Sequence, residues 1–191
     1  MSGFDGNNNL YIGYSDKIHD PAVQSALKKN KIAAFIFFIL LILAPIVISI
    51  IISIKNDDNG AVAVGFGVSA IFFVFNVVYF LINKTKRQYD GVVVKKYTER
   101  KHRGGDNRGY MTYQVVELRT DSGRKKKISG TVNPWYDYLH EGDKVRYYPQ
   151  FNNYYEKYDK SNDSYVYCPV CMSKNSLNDD ICKRCKVPVI K

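Results

Sequence analysis

Four cysteines carry the most specific chemistry in this chain. Cys168 and Cys171 form one CxxC pair, ten residues separate it from the pair Cys182 and Cys185, and the chain has no further cysteine. Two residues between thiolates let both sulfurs turn toward one cation. Two such turns supply four ligands at about 2.3 Å in tetrahedral geometry. Zinc is the expected ion, and iron in a rubredoxin-like site is the rival, because both accept four thiolates. A sphere filled by sulfur leaves no position for water, so a structural role is expected rather than a catalytic one. Two disulfides would need an oxidising compartment, against the cytoplasmic placement argued below. A thioredoxin-like redox pair would need βαβ surroundings.

Catalytic groups are otherwise scarce. His19, His102 and His140 stand isolated, with no HExxH and no paired cysteine and histidine. Neither GxGxxG nor a Walker-type phosphate loop occurs, and Gly65-Phe66-Gly67 lies inside an apolar run where it cannot cradle phosphate. A non-enzymatic role is expected. Two classes stand against each other: a membrane-anchored adaptor or binding module with an unidentified protein partner, and an iron electron carrier. A membrane tether for nucleic acid is a third, less favoured reading, and homo-oligomers are compatible with all three.

The elements that must position the cysteines show in the charge distribution. The chain has 191 residues, with 28 Lys plus Arg against 18 Asp plus Glu. Residues 32–54 and 61–82 contain none of these four types, whereas residues 83–191 hold 23 basic and 13 acidic side chains, the whole net charge of +10. This distribution argues against a freely soluble globule, a collagenous repeat and a disulfide-stapled secreted miniprotein. Each apolar run is long enough to cross a hydrocarbon core of about 30 Å as a helix, and the short connection 55–60 makes them an antiparallel hairpin.

Pro45 is expected to kink the first helix, with a neighbouring helix or a serine such as Ser49 covering the freed carbonyl. In the second, Gly65 and Ser69 stand four apart on one face, a small-xxx-small spacing for close helix contact, and Asn76 is expected to bond between helices. Lys28, Lys29 and Lys31 precede the hairpin and Lys84, Lys86 and Arg87 follow it, against Lys55, Asp57 and Asp58 in the turn. By the positive-inside rule the chain is expected to be a multi-pass cell-membrane protein with both termini in the cytoplasm. Residues 1–31 read as loosely ordered, with Asp20 and Pro21 starting a short helix that runs into Leu27.

From Asp90 the pattern changes to short alternating stretches separated by glycines, the grammar of strands. Strands are expected near Gly91–Val94, Tyr113–Arg119, Lys125–Ser129 and Lys144–Pro149, with a polar loop over 99–110 and a helical turn at Trp135–Leu139. Together they suit a small all-β domain, a twisted sheet or partly open barrel. The run Arg124, Lys125, Lys126 and Lys127, with Lys95, Lys96, Arg100, Lys101 and Arg103, forms a basic surface. The first reading is a solvated strand face; anionic lipid headgroups of the bilayer or a protein are its candidate partners, and stacking of single-stranded nucleic acid on the tyrosines is disfavoured.

The order Gly91-x-Val93, Tyr113-Gln114-Val115-Val116, Thr120-Asp121-Ser122-Gly123 and Gly142-Asp143-Lys144-Val145-Arg146-Tyr147-Tyr148-Pro149 resembles a family of uncharacterised bacterial membrane proteins. That resemblance implies transmembrane helices carrying a small β domain, then a linker and a zinc ribbon, and no transferable activity. Residues 166–190 are similar to zinc ribbons, whose members commonly place Gly after each knuckle for its positive φ; here Met172 and Lys186 stand there. The expected map is 1–31 N-terminus, 32–82 hairpin, 90–150 β domain, 151–165 linker and 166–191 ribbon.

Overall fold

The structure, a computed structural model, describes residues 11–56, 60–102, 109–151 and 153–191. Two units emerge: Gln24–Lys86, and a head made of the chain up to Val23 together with Arg87–Lys191.

Helix α1 runs Pro21–Asn56 and α2 Gly60–Thr85. Pro21 takes the first position of α1, and the Ala22 N–H bonds the Asp20 carboxylate at 2.7 Å, which satisfies one of the orphan donors at a helix start. The helix start was legible, but the expected short helix and the apolar run at 32–54 are one continuous element. Both helices are long and apolar enough to cross a membrane. Large side chains such as Phe35, Phe37, Ile51, Phe73 and Phe80 stand exposed along them, the reverse of a soluble core helix.

Gly65 and Ser69 are the buried residues of α2. A Cβ on Gly65 would fall on the Ser49 hydroxyl and lie 2.9 Å from the Pro45 carbonyl oxygen; only hydrogen fits at this crossing. Ser69 Oγ donates to the Ile42 carbonyl of α1 at 2.8 Å. Two expectations are corrected. Ser49 bonds its own helix at Ile46 O rather than the carbonyl freed by Pro45. Asn76 donates to Phe72 O one turn back, within α2, so its amide is satisfied locally and does not bridge the helices. Replacing Gly65 with leucine is expected to force α1 and α2 apart, at about 1–3 kcal/mol. Disulfide trapping between cysteines placed on the two helices should fall sharply in that variant.

The head is built on a five-stranded antiparallel sheet of order β3-β2-β1-β4-β5, with β1 Tyr89–His102, β2 Tyr110–Thr120, β3 Lys125–Gly130, β4 Lys144–Tyr148 and β5 Tyr154–Lys157. Strand β1 enters the stretch expected as a polar loop as far as His102. A register shift between Val93 and Lys95 marks a bulge at Val94, which reverses the facing of every later β1 side chain. Gly91 is required where β1 meets β2, since a Cβ there would lie 2.7 Å from Arg119 O. Helix α3, Pro134–Tyr138, is capped by Asn133, whose side chain accepts from Trp135 N and donates to backbone carbonyls of β2 and β3. Val93, Val116, Leu118, Trp135, Leu139, Val145 and Tyr154 are among the buried residues.

Two boundaries need correction. The expected linker holds β5, with all four residues buried and paired to β4. Of the expected loose N-terminus, residues 1–10 lie outside the described residues, and residues 11–23 are ordered. Gly13 N bonds Tyr158 O at 2.7 Å, Lys160 N bonds Tyr11 O at 3.0 Å, and Ile12 pairs with Asp159. Ile18, within a 3-10 turn at Asp16–His19, and Val23, at the start of α1, are buried. This strap is locked by charge: Lys160 and Glu156, 1% and 0% exposed at the side chain, pair at 3.0 Å. Lys160 Nζ also reaches Gly13 O, while Glu156 accepts from Ser15 N and the Tyr148 hydroxyl.

Candidate metal centre

Strands β6, Tyr165–Tyr167, and β7, Lys174–Ser176, form a two-stranded sheet beside the cysteines. Each CxxC pair closes the same way. Cys168 N bonds Ser173 O and Met172 N bonds Cys168 O, while Cys182 N bonds Val187 O and Lys186 N bonds Cys182 O, all at 2.7–3.0 Å. Met172 and Lys186 take φ of 57° and 60°. These are the positions where ribbons favour glycine, and both side chains are held in the left-handed region at a modest conformational cost.

The four Sγ atoms lie within 4.8 Å of one another. Cys168 and Cys185 approach to 3.5 Å, Cys171 and Cys182 to 3.6 Å. Sulfurs at about 2.3 Å from a tetrahedral ion would be about 3.8 Å apart, so the donors fit one metal ion. Cys168 and Cys182 are buried, Cys171 and Cys185 partly so. Burial pushes the Cys168 thiol well up. Burial also opposes ionisation of Cys182, but the backbone N–H groups of Cys185 and Arg184 and the Ser173 hydroxyl outweigh it and bring that thiol down to about 6. Backbone donors aimed at sulfur favour the thiolate, the form that binds metal.

Two supporting residues escaped the sequence reading. Ser173 Oγ lies 3.0 Å from Cys171 Sγ and 3.1 Å from Cys182 Sγ, touching both knuckles. Asn175, 1% exposed, donates to Ser173 O and accepts from Lys183 N, a strut from one knuckle to the other. Outer contacts of this kind hold metal ligands in place. Neither residue carries a motif, so only the fold reveals them.

The ribbon is not separate from the β domain. Tyr167, adjacent to Cys168, packs edge-on against Trp135 at 5.4 Å; Tyr154 and Tyr155 do the same at 5.6 and 5.4 Å; Tyr138 meets both Tyr165 and Tyr167. Sheet, α3 and ribbon thus share one aromatic cluster, at edge-to-face geometries that add to simple burial.

Of the other candidate residues, Arg124, Lys125, Lys126 and Lys127 are exposed at the turn into β3 and along it. Register splits them: Lys125 and Lys127 pair with Arg119 and Glu117, while Lys126 pairs with the buried Leu118. Lys127 binds Glu117 at 2.8 Å and the Tyr97 hydroxyl at 3.0 Å, and its hydrogen bond holds the Glu117 carboxyl below the usual range. His102 meets the Tyr110 ring edge-on, and His140 lies 3.8 Å from Asp143. Gly65 and Ser69 lie in the helix contact, apart from the cysteines.

No protein-family model, curated protein or solved structure matches the chain. The family resemblance drawn from motif order thus has no counterpart in these comparisons. The architecture it implies, two apolar helices, a β domain and a cluster of four cysteines, is present.

Proposed function

We propose that this chain is a non-catalytic, membrane-anchored adaptor: the helical hairpin crosses the cell membrane twice, both termini lie in the cytoplasm, and the head presents its surface to a protein partner. The observation that carries the reading is the convergence of four thiols on one point. Zinc held there would have a complete sphere of protein ligands, which suits a staple and leaves no place for substrate. Lysines flanking the hairpin on both outer sides support the topology, and a cytoplasmic head keeps its cysteines reduced and ready for metal.

Capture of the full chain from native membranes, with metal analysis of the same material, tests the reading. About one zinc per chain and a retained partner protein, lost when the head is unfolded by chelation, is the expected result. Iron with visible absorption and no retained protein would replace the adaptor with an electron carrier. Topology is checked separately by Asn59→Cys. Its thiol should react with an impermeant reagent on intact cells, while a tag at Lys191 stays protected until permeabilisation.

A further inference from the structure

Members of the two basic runs meet on one face of the sheet, Lys95 from one and Lys125 and Lys127 from the other, while Arg103 lies outside the described residues. Because the bulge at Val94 resets β1, Lys95 stands opposite Glu117, which stands opposite Lys127; one step along, Arg119 stands opposite Lys125. Neighbours across strands lie about 5 Å apart and alternate residues along a strand about 7 Å apart. Positions 95, 117, 119, 125 and 127 therefore form a small plane holding four cations and one carboxylate. Lys95, Arg119, Lys125 and Lys127 are all exposed.

Edge protection explains only part of this. Lysines on an edge strand discourage strand pairing between molecules, and β3 is an edge strand. Strands β1 and β2 are interior, so Lys95 and Arg119 protect no edge. The neighbouring rings also narrow the choice of partner. The Lys95 ammonium stands 5.8 Å from the Tyr97 centroid while Lys127 bonds that ring's hydroxyl at 3.0 Å, Lys101 lies over Tyr113 and Lys96 over Tyr136. Ring faces occupied by the protein's own cations are poor platforms for stacked bases. Four cations exposed across three neighbouring strands match a broad surface of negative charge.

We propose, resting on the membrane-anchored reading above, that the face bearing Lys95, Arg119, Lys125 and Lys127 docks on the anionic phospholipid headgroups of the membrane that carries the hairpin. Chain connectivity favours this partner: residues 86–88 alone separate α2 from β1, so the head is held at high local concentration near that surface. Lys126, on the opposite facing of β3, takes no part.

The test uses the full chain in nanodiscs of neutral phosphatidylcholine, and in discs containing one-third phosphatidylserine, with lysine acylation read residue by residue. Acylation of Lys95, Lys125 and Lys127 should slow about fivefold in anionic discs, and Lys126 should not change. The difference should vanish in about 1 M salt, where the screening length is about 3 Å. Substituting Arg119→Gln and Lys125→Gln together leaves the Lys127–Glu117 pair in place and should return Lys95 and Lys127 toward the neutral-disc rate. Equal labelling in both discs, equal protection of Lys126, or protection in neutral discs by an added single-stranded oligonucleotide would each overturn the proposal. The adaptor reading fails on a different result, the absence of a retained protein partner.

Discussion

Replacing Cys182 with serine is expected to abolish metal retention and, with it, the packing of the single tryptophan of the chain. Structural zinc in small four-ligand sites contributes an apparent 10–16 kcal/mol or so at neutral pH, comparable to the whole stability of a domain at about 5–15 kcal/mol. A two-stranded sheet such as β6–β7 is marginal by itself in water, so it should depend on such a staple. A separately cored β domain would confine the damage to the chain beyond Tyr165. The structure argues otherwise, because Tyr167 forms one wall of the Trp135 cage and Tyr165 packs on Tyr138. Loss of metal should therefore shift Trp135 emission to the red and raise proteolytic cleavage around α3, while α1 and α2 keep their helicity. Chelation of the unaltered chain should reproduce both changes, and readdition of zinc should reverse them. Unchanged Trp135 emission after complete metal removal would mean that the aromatic cluster stands without the ribbon.

The second large effect is expected at the buried pair of Glu156 and Lys160. Lys160→Met leaves the Glu156 carboxylate buried with hydrogen bonds but no cation, a change that costs about 3–5 kcal/mol. The double substitution Glu156→Gln with Lys160→Met removes both charges and should cost clearly less than Lys160→Met alone, since the penalty arises mainly from the stranded charge. Denaturation of the full chain in detergent, followed by Trp135 emission, measures the stability change. Hydrogen exchange at residues 11–18 reports the strap itself, because Lys160 and Glu156 hold Gly13 and Ser15. Equal losses in the single and double variants would show that the pair acts through packing and not through charge.

How far this was legible in the sequence follows from what each element depends on. The apolar helices depend on composition, so charge-free runs revealed them; the four ligands depend on spacing within a few residues, so CxxC revealed them. Strand β5 was hidden because Glu156 and Lys157 look like solvent-facing residues. Their burial makes sense only with partners elsewhere, Lys160 and Tyr148 for the first, Asp143 and Asp163 for the second. The strap was hidden for a similar reason, since Gly13 and Ser15 gain order from residues near 156–160. The basic face required register: Lys95 joins Lys127 only through the bulge at Val94, which no local pattern announces. Arg124 through Lys127 reads as one run in the sequence, whereas the alternation of a strand divides it between two facings.

The strap also orders events in time. Ser15 and Glu156 are 141 residues apart, and Gly13 and Lys160 147, with both helices between them. At a synthesis rate of about 5–20 residues per second, the ribosome needs about 7–30 s after making the strap before its docking strand exists. By the end of that interval both helices have been made, while the strap still lacks the strand it docks on. The hairpin is thus an insertion within the folded head, and the head closes last. A nascent chain stalled before residue 156 should carry two helices, an unprotected N-terminal segment and an open sheet, the species to which a holding chaperone would bind.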